Sequence, residues 1–205
     1  MLNDIGFNLW ADGYDRSVGL SDESNTYPFA GYKKVLDSIY RDILSHTYKT
    51  VLDIGLGTAV LTSKLYAQGC TISGQDFSSR MIELARKKMP SAKLYQGDFS
   101  QGLVEEIKQT KYDAIIATYS LHHLTDPQKA VFIKELLPLL NPQGTLYIGD
   151  VAFETRALLE QCKMQTGREW DEDEIYFVYD ELSQAFPNMK FEKSSYCSGV
   201  FSLNP

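Results

Sequence analysis

The sequence predicts an α/β fold on a mostly parallel sheet, and three observations carry that prediction. Between residues 50 and 150 short apolar runs alternate five times with helical patterns, as chains of βαβ units do. The run YDAIIAT, ending at Thr118, is almost continuously apolar, as in a strand buried on both faces. The last two strand-like runs are joined by a short Gly-containing link, which predicts a hairpin and an antiparallel final strand.

Taken in order, residues 28–46 space Val35, Leu36, Ile39, Tyr40 and Ile43 as one helical face, with Pro28 suited to its first turn. TVLDI is the first strand, stopped by Gly55. A helix from Ala59 to Gln68 follows and ends at Gly69. CTISGQD is the second strand, and Ser78 and Ser79 can cap the helix RMIELARKK before Pro90 ends it. AKLYQ is the third strand, Gln101 to Gln109 a weaker helix, and YDAIIAT the fourth strand. Thr125-Asp126-Pro127-Gln128 is a helix start with a capping-box glutamine, and Pro138 should kink or shorten that helix. TLYIGD is the fifth strand. Residues 154–166 and 173–186 read as helices, and Lys190 to Tyr196 and Val200 to Leu203 as two strands joined at Cys197-Ser198-Gly199.

Composition narrows the function. The chain has 205 residues, matching one domain of ordinary size, and 43% hydrophobic residues, enough for a real core. Its formal charge of −7 gives no global attraction to nucleic acid or anionic membranes. No apolar run is long enough to span a bilayer, and MLNDIGFNLW lacks a leader pattern, so a cytoplasmic location is expected. Cys70, Cys162 and Cys197 are far apart and form no CxxC pair, which argues against a disulfide framework or zinc knuckle.

In an open α/β sheet ligands bind beyond the carboxyl ends of the strands, so the residues after each strand are the candidates. After the first strand, Gly55 and Gly57 in DIGLGTA permit a tight bend and close ligand approach, although a GxG alone also fits a plain strand-to-helix turn. Asp76 follows the second strand, 21 residues beyond Gly55, where a carboxylate can accept both hydroxyls of a ribose. After the third strand, Gly97-Asp98-Phe99 offers an acceptor for an exocyclic amine and a ring to pack on a base, or simply a Gly-Asp turn. Thr118, Tyr119, Ser120, Leu121, His122 and His123 follow the fourth strand.

This set resembles the class I S-adenosylmethionine-dependent methyltransferases over roughly residues 50–150. DIGLGT resembles that family's first motif, Asp76 its ribose acid, GDF its adenine-side motif, and YDAIIATYSLHHL with LLPLLNPQGTLYIGD its fourth strand, helix and fifth strand. The chain looks most similar to the uncharacterised YrrT-type methyltransferases of Gram-positive bacteria, which share the WADxYD start and the TYxxHHLTD stretch. One departure is Ala59, where many members have a third glycine; a modest effect on packing is expected.

The resemblance implies a Rossmann-like class I fold with a seven-stranded, mostly parallel sheet, an antiparallel last strand and helices on both faces. It divides the single domain into an N-terminal helical lid (1–48), a core binding S-adenosyl-L-methionine (SAM; 49–150), and acceptor-side helices with the strand hairpin (151–205). Gly55 and Gly57 would line the methionine part of SAM, with Asp53 reaching its amino group. Asp76 would hold the ribose, Asp98 with Phe99 the adenine, and Phe77 would be a further cofactor-binding residue. Thr118 would stand beside the transferred methyl, and Tyr14 would close over the cofactor.

The implied reaction is methyl transfer to a small-molecule acceptor by in-line displacement, with SAM as donor and no protein nucleophile. If the acceptor must lose a proton, His122 and His123 are the candidate bases, because imidazole titrates near neutral pH. The plainer reading has one of them supporting the loop and the other solvated. Asp171-Glu172-Asp173-Glu174 reads as a solvated helix start, so no metal is expected. No nucleic-acid or membrane partner is expected, and the chain should be a monomer or homodimer. The rivals are a SAM-binding regulator without turnover and an NAD-dependent oxidoreductase. Val60, where the dinucleotide pattern needs Gly or Ala, argues against the oxidoreductase.

Overall fold

Alternation along one strand builds both faces of the core. In β4 (Tyr112–Thr118), Ala114 and Ile116 enter one apolar cluster while Ile115 and Ala117 enter the other. The computed structural model describes residue 18 and residues 21–205, and every statement below concerns those.

The parallel strands are β1 (Thr50–Ile54), β2 (Thr71–Asp76), β3 (Lys93–Gln96), β4 and β5 (Leu140–Phe153). With β7 (Lys190–Lys193) and β8 (Ser198–Leu203) they line up as β3-β2-β1-β4-β5-β8-β7. Strand β8 is antiparallel to both neighbours, as the hairpin reading predicts. The two-residue β6 (Phe177–Val178) pairs with the end of β5 outside that order. One face is covered by α1 (Tyr32–Ser45), α2 (Val60–Ala67) and α3 (Ser79–Lys88), which contribute Val35, Ile39, Leu65 and Ile82 to the first cluster. α6 (Arg156–Thr166) adds Leu159 to it. The other face takes Ile107 of α4 (Glu105–Lys108) and Phe132, Ile133 and Leu136 of α5 (Asp126–Leu136). α7 (Tyr179–Ala185) packs Leu182 against this second cluster.

The capping box at Thr125 and Gln128 is present, and Pro138 ends α5 in a 3-10 turn. Four boundaries depart from the sequence reading. α1 starts at Tyr32 because Gly31 sits left-handed, and Ser195 and Ser198 clamp the Ala30 carbonyl at 2.7 and 2.8 Å. The expected helix at 101–109 shrinks to α4 because the Gln75 side chain bonds Val104 N and Gly102 O, fixing the chain as a loop. The 173–186 helix begins only at Tyr179, because Phe177 and Val178 are taken into the sheet. The β-hairpin turns at residues 194–197, where Ser194 N and Ser195 N both donate to Ser198 O, and Ser198 and Gly199 already belong to β8.

Helix α1 approaches the sheet at Gly149. A Cβ there would stand 2.4 Å from Val35 Cγ1 and 3.2 Å from Ile39 Cδ1. Gly149→Ala is expected to cost about 1–3 kcal/mol by overpacking. In a thermal-unfolding double-mutant cycle, Val35→Ala should restore part of that loss, and strict additivity would refute the contact. No described helix is long and apolar enough to cross a membrane.

Candidate functional site

The chain runs outward from β1 through β2 to β3, then crosses back to lay β4 beside β1. This reversal leaves a crevice at the carboxyl ends of β1 and β4, where an open sheet binds ligands. A cavity of about 430 Å³ opens there.

Its floor is the bend after β1. Gly55 and Gly57 have φ of 67° and 53°, and Ala59 follows at 59°. At Gly57 a Cβ would meet nothing within 4 Å, so one side of the bend faces open space. Ala59 is the unexpected member. Its deviation is in the backbone, and an L-residue held left-handed costs on the order of 1 kcal/mol.

Two buried carboxylates flank the bend. Asp76, at the end of β2, accepts from Gly57 N at 2.8 Å and from Ser78 N at 2.9 Å. Burial raises its pKa, and those two amides pull it back. Asp53, in β1, accepts from Thr62 Oγ1 at 2.9 Å through one oxygen, while Oδ1 finds no hydrogen-bond partner among the described residues. Burial first, and Asp76 nearby, push Asp53 up to about 7. A buried acceptor left open on the wall of a cavity awaits a donor from a ligand.

The opposite wall follows β4. Tyr119 is a bulky residue at φ 50°, held by its N–H donating to Gly149 O at 2.8 Å. Such backbone conformations cluster at functional sites. His122 is buried, and its Nδ1 lies 2.7 Å from Asp150 Oδ1. The register Thr118↔Gly149 makes this possible, since it carries Asp150 to the level of the loop after β4. Burial lowers the pKa of His122, but Asp150 and then Glu174 outweigh it and leave it raised. His123 behaves oppositely: burial and the adjacent His122 lower it to about 4, so it stays neutral near pH 7.

The acidic run is only partly solvent-facing. Ile175 N donates to His122 O at 2.8 Å, and the buried Lys129 donates to Ile175 O and pairs with Asp126 at 2.9 Å. This anchoring brings Glu174 Oε1 to 3.4 Å from His122 Nε2, while Tyr176 OH donates to Glu174 Oε2 at 2.7 Å. His122, His123 and Glu174 each bring one ligand-type atom within 4.8 Å of the others. Trp170 and Tyr176 pack edge-on and stand behind this wall in the core.

Of the residues read from the sequence, Asp53, Gly55, Gly57, Asp76, Phe77, Phe99, Thr118, His122 and His123 line this one cavity. Asp98 does not. It is exposed, and its Oδ1 accepts from Ser100 N at 2.8 Å to close a turn. Tyr14 lies outside the described residues. Sequence reasoning missed Asp150, which lies inside a strand, and Lys129, whose charge hides it in any hydrophobicity pattern.

Residues 51–144 match a family model described as a methyltransferase domain. An uncharacterized methyltransferase of Oceanobacillus iheyensis, OB1106, is 32% identical over 195 residues, covering 92% of this chain and 88% of that protein. The uncharacterized methyltransferase YrrT of Halobacillus halophilus is 31% identical with the same coverage. Among solved structures, magnesium protoporphyrin IX methyltransferase from Synechocystis with bound SAH superposes with a TM-score of 0.66 at 19% identity, over 85% of this chain and 83% of that one. A S-adenosylmethionine-dependent methyltransferase from Clostridium acetobutylicum does so at 0.68 and 14%, over 94% and 99%. These two likenesses are of fold: a mixed α/β architecture on a mostly parallel sheet with an antiparallel C-terminal strand.

Proposed function

The chain belongs to the methyltransferase family, and from that membership we propose that it transfers a methyl group from SAM to a small-molecule acceptor. The observation that carries the cofactor assignment is the pair of buried carboxylates around the glycine bend, one of them with an open oxygen. Asp53 Oδ1 takes the methionine amino group, the only cationic donor on that part of the ligand. Asp76 already holds Gly57 and Ser78, and its remaining lone pairs take the ribose hydroxyls. Phe99 packs on the adenine side, and Thr118 stands toward the reacting end. The donor sulfonium supplies an activated methyl, so the protein's work is alignment, exclusion of water and proton removal.

His122 removes the proton. Asp150 accepts from its Nδ1–H, fixes the tautomer and stabilises the imidazolium that forms, leaving Nε2 toward the cavity. Residues 49–150 carry the cofactor in this reading, and the segments 1–48 and 151–205 complete the acceptor pocket. The protein acts in the cytoplasm as a monomer or homodimer.

Thermal shift with SAM, S-adenosylhomocysteine (SAH) and NAD tests the cofactor: the first two should stabilise the protein and NAD should not. Asp76→Ala is expected to weaken SAM by roughly 1–3 kcal/mol in calorimetric titration, the cost of leaving ligand hydroxyls unpaired. Unchanged affinity would remove the ribose assignment.

A further inference from the structure

The acceptor end of the cavity has a charge pattern that the methyl-transfer reading leaves unused. Asp171, Asp173 and Glu174 line the cavity, as does the aromatic group Phe29, Tyr32 and Tyr119, whose ring centroids are 5.1–6.0 Å apart. No lysine or arginine is among the described residues lining the cavity. The nearest buried cation, Lys129, is committed to Asp126 and the Ile175 carbonyl. A carboxylate or phosphoryl group entering here would meet three acids and no lysine or arginine, and the one imidazole raised toward its charged form, His122, is already paired with Asp150. A protonated amine would meet carboxylates and ring faces, both of which attract a cation.

Glu174 is singled out from the acidic run by its placement. One oxygen is held by Tyr176 OH, and the other faces His122 Nε2 at 3.4 Å. A cation bound at that oxygen is therefore within reach of the imidazole. We propose that Glu174 is the specificity-determining residue of the acceptor pocket, that it binds the acceptor as an ammonium, and that the methylated atom is an amine nitrogen. This rests on the methyl-transfer reading above and narrows its substrate class.

The step balances. The ammonium gives one proton to His122 Nε2, which frees the nitrogen lone pair. That pair forms the new N–CH₃ bond while the C–S bond breaks and its electrons stay on sulfur. The product leaves as a methylated ammonium with SAH, and the His122 proton passes to solvent. A thiol or hydroxyl acceptor would instead place a developing anion beside Glu174, where like charge opposes it.

Sinefungin tests the assignment. It carries a primary amine on carbon where SAM carries the methyl sulfonium, and so presents an ammonium at the transfer point. By calorimetry on EDTA-treated protein, the wild type should bind sinefungin about tenfold or more tighter than SAH. In Glu174→Gln that preference should fall below about threefold, with SAH affinity held within about twofold. Equal affinities in the wild type, or a preference that survives in Glu174→Gln, would overturn the proposal. SAH failing to bind the wild type at all would instead overturn the cofactor reading beneath it. A second measurement needs no variant: on SAH-saturated wild type, 2-phenylethylamine should raise the melting temperature and 3-phenylpropionate should not. A shift with the acid, or none with the amine, counts against the ammonium pocket.

Discussion

Gly55→Val is expected to abolish SAM binding and to destabilise the fold at the same time. The reason differs from the one a glycine-rich motif suggests. A Cβ at Gly55 would lie 2.4 Å from Ser120 Cβ and 2.9 Å from Ser120 Oγ, so the clash is with the loop after β4 and not with the ligand. Ser120 cannot retreat freely, because its hydroxyl donates to Ile54 O at 2.9 Å and the side chain is buried. Gly55 N is itself tied to Gln75 O at 2.8 Å, and its φ of 67° disfavours a β-branched residue. Steric insertion and backbone strain together should cost about 3 kcal/mol or more of stability. Gly57→Ala is the companion that separates the effects. Its Cβ meets no protein atom within 4 Å, so the apoprotein should lose only about 1 kcal/mol. SAM affinity should nevertheless drop if the ligand passes the bend through that open space, as the proposed assignment has it. Calorimetry beside thermal unfolding checks both. A Gly57→Ala protein binding SAM normally would show that the cofactor does not approach this backbone.

How far the sequence reached depends on whether each role is local. The meeting of Gly55, Gly57 and Asp76 at one cavity was legible because a bend and an acid at the next strand end are short-range signals, and parallel pairing of β1 with β2 places them together. Asp150 was not legible. It sits within an apolar strand, and its contact with His122 follows from the β4–β5 register and the loop that bears His122. Glu174 was hidden differently. Four acids in a row read as a solvated helix start, yet Ile175 N bonds His122 O and turns that segment into a wall of the cavity. Asp98 shows the converse, since its carboxylate closes a turn on Ser100 N and a Gly-Asp pair predicts that as readily as a ligand contact. The helices that came out short, α4 and α7, failed for one physical reason: side chains and sheet edges captured backbone groups that a helix needs.

Asp53→Asn is expected to stabilise the apoprotein above neutral pH while weakening SAM. In the folded chain the Asp53 carboxyl is held at about 7, against 3.8 for an ordinary aspartate. Because the folded value lies above the unfolded one, its contribution to stability is fully present below pH 3.8. It is then lost as pH rises, and is gone above about 7. Ionising the buried group therefore costs on the order of 4 kcal/mol of stability at pH 8. Asparagine removes the charge and keeps an oxygen for Thr62, but its amide places a donor where Oδ1 stood without a partner, which costs about 1–3 kcal/mol. A net gain of about 1–3 kcal/mol remains at pH 8, shrinking toward pH 5, where the native carboxyl is neutral as well. Binding runs the other way. On the proposed assignment the ionised carboxylate pairs with the methionine ammonium, so wild-type SAM affinity should rise several-fold between pH 6 and 8 as Asp53 loses its proton, and the Asn variant should lose that slope. Urea unfolding and SAM titration across this pH range measure both arms. A wild type whose SAM affinity ignores pH, or an Asn variant no more stable at pH 8 than at pH 5 relative to wild type, would mean that Asp53 is not the strained acid whose charge the cofactor neutralises. On that assignment the two arms are one effect: the instability that a buried carboxylate with an open oxygen imposes on the empty protein is the differential interaction that would favour the loaded one.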